Sequence, residues 1–563
     1  MPRLFQEHKL RPVTLLDGLW NFAFLGDMDV DDVDITSIKC DSYMPVPACF
    51  DAMPQYAGKR GLVAYRKEIY LDEAARHRLV FDTVHHWGRV LFDGTVLHDH
   101  VGGFTQFTVD LPQSAPGSHE LVVLVDNRLD YDHSPLHLDY FDWYHYGGIS
   151  GSVSLHHLPE SWIDRVTITV DDLTSRNMTM SIRYGTIKAQ TLPLSIAIDD
   201  HFIIDEEVAL SEGNGVLNYH FNLPEAALWS PNDPHLHMAA VQLGTDDLYE
   251  RFGIRKVEAK QGQILINGEP QLLLGFNRHQ SHPQFGYTIP QNIDYSDLML
   301  LRDMGCNFIR GSHYPQTRSF LDLCDELGFM MWVESIGWGH TVGHLTDPHF
   351  VNAQHAHIAE MIAMSENHPS IILWGILNEG YSYDEKTTPT YAALLGQIRE
   401  EDPTRPVTYA CNYPFTDAHL DLVDVVSINQ YPGWYQGELE DVPQLIDDFI
   451  NYVDEHGQAD KPIIISEIGA GAIYGWRDSH HTRWSEGYQS ALLETVIKHL
   501  FFDRDRVCGL AIWQYHDIRT TQLARMALAR PRDFNNKGVL DEYRRPKEAY
   551  QVVKRLFTEL NSK

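Results

Sequence analysis

Two apolar stretches that each end in a glutamate decide the fold of the second half of the chain: IILWGILNEG at 371–380 and PIIISEIG at 462–469. Short, continuous apolar runs of this kind are typical of strands that are buried on both faces of a parallel sheet. Six further runs of the same kind follow the order QLLLGFN, NFIRGSH, FMMWVES, PVTYACN, VDVVSINQY and GLAIWQYHD. The two quoted stretches take the fourth and seventh places in this series of eight.

Helical patterns lie between these strands. Between the second and third strands, Phe320, Leu323, Cys324 and Leu327 recur at the spacing of one helix face. Strands that alternate with helices indicate a parallel sheet, and eight such units over residues 259–563 predict a closed (β/α)8 barrel. An open dinucleotide-binding sheet is not supported, because no GxGxxG motif follows any of the strands.

The first half of the chain has a different hydrophobic pattern. Residues 1–160 contain short alternating stretches such as GLVAYRKEIYL and HELVVLVDN, separated by clusters of Gly, Pro, Asn and Asp, which predicts a β-sandwich. Asp93-Gly94 predicts a type I′ hairpin between Phe92 and Thr95. Residues 161–258 hold six or seven further short strands, which fit an immunoglobulin-like sandwich. The alternative is one large β domain over both segments.

Composition excludes several classes of function. The chain of 563 residues has 44 Lys and Arg against 78 Asp and Glu, a net charge of −34, which argues against nonspecific binding to nucleic acid or to anionic membrane surfaces. The six cysteines are scattered, without a CxxC pair or a disulfide framework. The N-terminal stretch lacks the pattern of a signal peptide, and every apolar run is too short to span a membrane. These features predict a cytoplasmic protein.

The chemistry is expected where the barrel strands end, because active sites of such barrels lie at the carboxyl ends of the strands. The fourth strand ends in Asn378-Glu379 and the seventh in Ser466-Glu467. Two carboxyl groups on opposite sides of a barrel mouth meet the requirement of glycoside hydrolysis: one protonates the leaving oxygen while the other acts at the anomeric carbon.

Several motifs carry a family resemblance. GFNRHQSHP at 275–283, NFIRGSHYP at 307–315, WGILNEG at 374–380 and ISEIG at 465–469 resemble, in order and spacing, the barrel motifs of glycoside hydrolase family 2, and within it those of the β-glucuronidases. In the first half, FDTVHHWGRVLFDG, HVGGFTQF and DWYHYGGI resemble the family's sugar-binding jelly roll and the turn that follows it. The resemblance implies a jelly roll over 1–160, an immunoglobulin-like sandwich over 161–258 and a catalytic barrel over 259–563.

The resemblance also implies roles for individual residues. Glu379 matches the family's acid/base and Glu467 its nucleophile, which implies a retaining double displacement with the two carboxyl groups about 5–5.5 Å apart. Asn378 would hold the 2-hydroxyl of the sugar. The remaining pocket residues that the resemblance implies are Asp142, His279, Arg310, His313, Tyr431, Tyr435 and Trp513.

A basic segment after the eighth strand bears on which sugar is bound. It contains Arg519, Arg525, Arg530, Arg532 and Lys537 against a single acidic residue, Asp533. Its end, Asn535-Asn536-Lys537, resembles the Asn-x-Lys motif with which β-glucuronidases bind the carboxylate of the sugar, and an ammonium and an amide suit such a group.

The loop departs from the family in length, because RMALARPRDF is inserted between Gln522 and Asn535. The sequence therefore does not identify which of Arg525, Arg530 and Arg532 is the pocket arginine.

The predicted function is removal of terminal β-D-glucuronic acid from small-molecule glucuronide conjugates. A β-galacturonidase and a β-galactosidase are the alternatives within the family, and a catalytically inactive carbohydrate-binding protein is the alternative outside it. No His pair is spaced with carboxylates as in a catalytic zinc site, so no metal and no other cofactor is expected. The resemblance further implies a homo-oligomer, a dimer or a tetramer.

Overall fold

The computed structural model describes residues 3–71, 76–129, 142–520 and 529–562. Within these ranges the chain forms two β-rich regions followed by a closed barrel with helices around it. None of the helices in these ranges combines the length and the apolar composition that a membrane span needs.

The first β-rich region consists of two large antiparallel sheets, with strand orders β3-β2-β4-β10-β7-β8 and β1-β12-β5-β9, and a two-stranded sheet of β6 and β11. Alternate side chains of both sheets, among them Trp20 and Leu79, are buried in one hydrophobic cluster. Asp93 and Gly94 both have positive φ, and β7 pairs with β8 at Phe92 and Thr95, which confirms the predicted hairpin. The strands are β1 Val13–Leu15, β2 Gly18–Gly26, β3 Ser42–Val46, β4 Leu62–Leu71, β5 Arg76–Phe81, β6 Val84–His85, β7 Trp87–Phe92, β8 Thr95–Val101, β9 Phe107–Asp110, β10 Gly117–Asp126, β11 Gly148–Ile149 and β12 Val153–Leu158.

The second β-rich region also has two large antiparallel sheets, with orders β13-β14-β17 and β16-β15-β20-β21, and a two-stranded sheet of β18 and β19. Its buried side chains form a hydrophobic cluster of their own. The separate clusters agree with two sandwiches rather than one, whereas the boundaries at 160/161 and 258/259 stay a prediction. The strands are β13 Ser161–Asp172, β14 Asn177–Thr186, β15 Gln190–Ile198, β16 His201–Leu210, β17 Gly213–Asn222, β18 Trp229–Ser230, β19 Asp233–Pro234, β20 His237–Leu243 and β21 Asp246–Phe252.

The barrel is closed by parallel pairing of β25 with both β26 and β32, which confirms the predicted (β/α)8 fold. Its strands are β25 Leu273–Arg278, β26 Phe308–Gly311, β27 Met330–Glu334, β28 Ile371–Asn378, β29 Val407–Cys411, β30 Val426–Asn429, β31 Ile463–Glu467 and β32 Gly509–Ile512. A small sheet covers the end where the strands begin, formed by β22 Val257–Lys260, β23 Gln263–Ile266 and β24 Glu269–Gln271. The opposite end, at which the strands finish, is therefore the open mouth.

The helices bury their apolar faces against the barrel wall. On α2, the predicted face formed by Phe320, Leu323 and Cys324 is buried, and the helix ends at Gly328, whose φ of 72° suits glycine. The helices are α1 Gln291–Asp303, α2 Arg318–Leu327, α3 Val342–Leu345, α4 Pro348–Ser365, α5 Thr388–Glu401, α6 Val442–Val453, α7 Glu486–Phe501 and α8 Glu548–Asn561.

One segment of the first β-rich region, residues 142–147, reaches the barrel mouth. The backbone N–H of Tyr144 donates to the carbonyl of Arg519, 2.6 Å away, just beyond β32. Gly147 lets this segment pass close to the sandwich, because a Cβ at Gly147 would lie 2.2 Å from the Cβ of Asn127. The sandwich thereby contributes Asp142 and Trp143 to the mouth of the barrel.

Candidate active site

The two predicted carboxyl groups lie at the same cavity in the barrel mouth. Glu467 ends β31, and Glu379 follows β28 with a φ of 53°, a left-handed conformation that turns the chain out of the strand. The cavity has an empty volume of about 470 Å³. It is lined by Asp142, Trp143, His313, Trp338, Glu379, Tyr431, Tyr435, Glu467, Trp513, Arg530 and Lys537.

Glu467 accepts two strong hydrogen bonds. Arg310 donates from Nη1 to Oε1 at 2.9 Å, and the hydroxyl of Tyr431 donates to Oε2 at 2.5 Å. A guanidinium and a hydroxyl that both donate to one carboxyl group stabilise its ionised form.

Glu379 has different partners. Asn429 donates from Nδ2 to Oε1 at 3.0 Å, and Trp338 donates from Nε1 to Oε2 at 3.1 Å. Both donors are uncharged, whereas Glu467 accepts a hydrogen bond from the guanidinium of Arg310.

The two carboxyl groups form an electrostatically coupled pair. Burial raises the pKa of Glu379 and also that of Glu467, and the repulsion between the groups raises the pKa of Glu467 further. Such a pair holds one proton over a wide pH range. Because Arg310 donates to Glu467, we infer that the negative charge resides on Glu467 and the proton on Glu379.

Arg310 is fully buried and also contacts a third carboxyl group, that of Glu334 at the end of β27. Arg310 donates from Nε to Oε2 at 3.1 Å and from Nη2 to Oε1 at 3.0 Å. Burial raises the pKa of Glu334 to about 7, although Arg310 opposes that shift. Glu334 was not predicted from the sequence. The only feature that could have identified it was its position at the end of the strand MMWVE.

Asn378 precedes Glu379 and has a half-satisfied amide. Its Oδ1 accepts from Arg310 Nη2 at 2.8 Å and from Asn429 Nδ2 at 2.9 Å. Its Nδ2 is buried and has no hydrogen-bond partner within the ranges that the structure describes. A buried donor without a partner is costly, so this amide is suited to a bound ligand.

Lys537 brings a positive charge to the cavity. Its ammonium donates to the hydroxyl of Tyr435 at 2.8 Å. Although burial alone would raise the pKa of Tyr435, the charges of Lys537 and Arg530 lower it. Lys537 is only 4% exposed, and no carboxylate lies within ion-pair distance of it in the part of the chain that the structure describes.

Arg530 differs from Lys537 because a carboxylate already neutralises it. Its guanidinium donates to both oxygens of Asp142, from Nε and from Nη2 at 2.5 Å each. Asn535 donates to the same carboxylate at 2.7 Å. The basic segment and the β-sandwich are thus joined at the cavity wall.

Comparison with known proteins agrees with this geometry. Residues 257–562 match the family described as "Glycosyl hydrolases family 2, TIM barrel domain". The chain belongs to glycoside hydrolase family 2. It is therefore a glycosidase.

The relatives cover the whole chain. β-Glucuronidase of Rattus norvegicus is 30% identical over 98% of this chain and 91% of its own length. The structure of a family 2 β-galacturonidase from Eisenbergiella tayi bound to galacturonate matches with a TM-score of 0.92 and 35% identity, over 100% of this chain and 99% of the other. The β-glucuronidase of an uncultured Clostridium sp. matches with a TM-score of 0.83 and 26% identity, over 99% of each chain.

Most of the predicted site residues of this glycosidase line the cavity or contact residues that line it. His279 lies one layer behind: its Nδ1 is 3.2 Å from the Tyr314 hydroxyl, and its ring packs against those of His313 and Trp513. Sequence reasoning did not single out Trp143, Trp338 or Asn429. Trp143 lies within the quoted motif DWYHYGGI, whereas Trp338 and Asn429 could have been identified only by their positions near strand ends.

Among the arginines that the sequence left open, Arg530 lines the cavity. Arg532 lies away from it, since its guanidinium pairs with Glu542 at 3.0 Å and contacts Asn536 at 3.1 Å. Arg525 lies outside the described residues.

In the described ranges, one group of side chains has the geometry to hold a metal ion: Asp322, Asp325 and His368. None of the three lines the cavity. Arg3 donates to Asp322 at 2.9 Å, so a cation already occupies this position. The predicted lack of a metal and of any other cofactor stays a prediction.

The hydroxyl of Tyr431 is expected to control the ionisation of Glu467. In Tyr431→Phe, the carboxylate loses a donor, so its pKa rises. Since a hydrogen bond to a charged group contributes roughly 1.5–3 kcal/mol, we expect the acidic limb of kcat/KM to move to higher pH by about one to two units. Tyr435→Phe is the matched control, because Tyr435 contacts Lys537 instead; its acidic limb should stay in place. An unmoved acidic limb in Tyr431→Phe would contradict the assignment.

Proposed function

We propose that the protein hydrolyses terminal β-D-glucuronic acid from glucuronide conjugates with retention of configuration. The observation that carries this proposal is the buried ammonium of Lys537, which has no carboxylate partner in the described part of the chain. A buried charge without a partner is costly. The carboxylate of a uronic acid in the cavity would supply that partner, whereas the hydroxymethyl group of a neutral sugar would not.

In the first step, Glu467 attacks the anomeric carbon while Glu379 donates its proton to the glycosidic oxygen. The bond to the leaving alcohol breaks, and an ester forms between the sugar and Glu467. Arg310 and Tyr431 keep Glu467 ionised, and Trp338 and Asn429 hold Glu379 in place.

In the second step, the roles of the carboxyl groups change with the charge. The ester removes the negative charge of Glu467, which lowers the pKa of Glu379. Glu379 then acts as a base toward a water molecule, which attacks the anomeric carbon and releases the sugar. Inversion twice at the same carbon gives a product with the β configuration of the substrate.

The sugar is held by polar groups that are not all satisfied within the protein. The Nδ2 of Asn378 would donate to the 2-hydroxyl, a contact that strengthens as charge develops in the transition state. Lys537 would pair with the carboxylate. Asn535 and Arg530 both contact Asp142, so these three would form the wall of the same pocket.

β-D-Galacturonides are the second candidate substrates, and the observation that favours them is the likeness to the galacturonidase of Eisenbergiella tayi. The two sugars differ only in the orientation of the 4-hydroxyl and share the carboxylate that Lys537 would recognise. β-Galactosides carry no carboxylate and would leave Lys537 unpaired. The cytoplasmic location is proposed from the sequence pattern, and the homo-oligomer is proposed from the family resemblance.

The proposal is tested by assaying the purified protein on matched aryl β-glucuronide, β-galacturonide and β-galactoside. We expect one of the two uronides to be turned over with a kcat/KM at least tenfold above that of the galactoside. A higher kcat/KM on the galactoside would refute uronate recognition. NMR of the first product should show the β anomer, and an initial α anomer would refute double displacement.

Replacement of the two glutamates should affect turnover in different ways. Glu467→Ala is expected to abolish turnover. Glu379→Ala should impair poor leaving groups far more than activated phenols, because an acidic phenol leaves without a proton. Azide should partly restore Glu379→Ala, since it attacks the ester without the help of a base. Equal loss on all leaving groups, with no response to azide, would mean that the roles are assigned wrongly.

Lys537→Ala should remove the preference for uronides. A hydrogen bond to a charged group contributes roughly 1.5–3 kcal/mol, so kcat/KM for the uronide should fall about tenfold to a hundredfold. Residual turnover of a neutral β-glycoside should change little. Arg532→Ala is the matched control, because Arg532 belongs to the same segment but pairs with Glu542 away from the cavity. An equal loss on uronide and neutral sugar would show that Lys537 supports the loop instead.

A further inference from the structure

Glu334 is a buried carboxyl group that the proposed two-step hydrolysis does not use. It ends β27, is fully buried and is absent from the lining of the cavity. It lies behind Glu467, and two side chains, Arg310 and His313, stand between the two carboxyl groups.

The first bridge is the guanidinium of Arg310. One edge, formed by Nε and Nη2, donates to both oxygens of Glu334, while Nη1 donates to Glu467. The ring of Trp332 lies against the same guanidinium, with 4.7 Å from Cζ to the ring centre. A planar group held on one edge by two parallel hydrogen bonds has a defined orientation on the other edge. Glu334 therefore directs Arg310 toward Glu467.

The second bridge is the imidazole of His313. Its Nδ1 lies 2.8 Å from Glu334 Oε1, and its Nε2 lies 3.7 Å from Glu467 Oε1. Burial and the charge of Arg310 hold the pKa of His313 well below its ordinary value, so the ring is neutral and carries one proton. Arg310 Nη2 also lies 3.2 Å from this Nδ1, but its two hydrogens already go to Glu334 and Asn378. Above the pKa of Glu334 its carboxylate can only accept, so the 2.8 Å contact places the ring proton on Nδ1 and leaves Nε2 as an acceptor on the cavity side.

We propose that Glu334 is a positioning residue for the hydrolysis: it orients Arg310 toward Glu467 and sets the tautomer of His313. The inference rests on the proposed role of Glu467. It adds a third carboxyl group to the site, which acts through its neighbours without touching the substrate.

The surroundings of Glu334 make its charge effective. The charged and titratable groups that face it are Arg310 and His313, which belong to β26 and the residues after it. On the other side, β28 presents Gly375, where a Cβ would lie 2.9 Å from the Cβ of Glu334. Within the described ranges the ion-pair contacts of Glu334 are with Arg310 and His313, so the negative charge of an ionised Glu334 partly offsets the stabilisation that Arg310 gives to Glu467.

The test is a pH profile of kcat and kcat/KM for Glu334→Gln on the best uronide substrate. The amide keeps the shape but removes the charge, and its NH2 end cannot accept, so the two parallel hydrogen bonds from Arg310, one to each oxygen, cannot both form. We expect kcat to fall about tenfold to a hundredfold, with KM changed less than about threefold, since Glu334 does not line the cavity. Because the variant also removes a negative charge that lies behind Glu467, the acidic limb should move to lower pH by about one unit.

Two variants separate positioning from stability. Glu334→Asp retains the charge, so its acidic limb should stay near the wild-type pH while kcat recovers in part. Glu366→Gln is the matched control, because Glu366 pairs with Arg165 and does not line the cavity, while its side chain is only 9% exposed and burial raises its pKa as well. It should leave both kcat and the acidic limb unchanged.

The outcomes are distinguishable. If Glu334→Gln is folded by thermal melting and has the wild-type acidic limb, the proposal is wrong, whether or not activity has fallen. Glu467→Ala is assayed in parallel. If it is inactive while Glu334→Gln behaves like the wild type, only the inference about Glu334 fails; if Glu467→Ala remains active, the proposed roles of the carboxyl pair fail.

Discussion

The candidate site depends on one buried cation, the guanidinium of Arg310. It contacts Glu467, Glu334 and the amide oxygens of Asn378 and Asn277, all in the mouth of the barrel. An isolated charge in this position would be far too costly to bury, and so would either carboxylate without a cation. The groups are therefore mutually dependent. Because they come from β25, β26, β27, β28 and β31, the barrel must close before the site exists.

This dependence underlies the different roles that we propose for two chemically identical side chains. Glu379 and Glu467 are both buried, and both face the same cavity. Only Glu467 receives hydrogen bonds from a cation and from a tyrosine hydroxyl, so charge is favoured there and the proton is favoured on Glu379. The proposed assignment of acid and nucleophile thus rests on the neighbours of each carboxyl group and not on the carboxyl groups themselves.

The sequence predicted what depends on local pattern. Apolar runs with helices between them identified the eight strands of the barrel, and Glu379 and Glu467 stood out because each follows such a run. Glu334 ends a strand in the same way, yet no motif separated it from an ordinary buried carboxylate. Its contact with Arg310 joins residues 24 positions apart and appears only once β26 and β27 lie side by side. Trp143 could not be placed either, because its position depends on how the sandwich docks on the barrel.

The basic segment after β32 is a clearer example of a feature that the sequence predicted only in part. Its resemblance to the Asn-x-Lys motif pointed to Lys537, but the pocket arginine could not be predicted, since the insertion before Asn535 removes any fixed spacing. The structure separates the candidates by their partners: Asp142 neutralises Arg530 and Glu542 neutralises Arg532, whereas Lys537 meets a tyrosine hydroxyl. In a chain with a net charge of −34, an anionic ligand is repelled over most of the surface. A uronate would therefore be bound by local charge alone, which makes the choice of partner for each cation in this segment the feature that determines specificity.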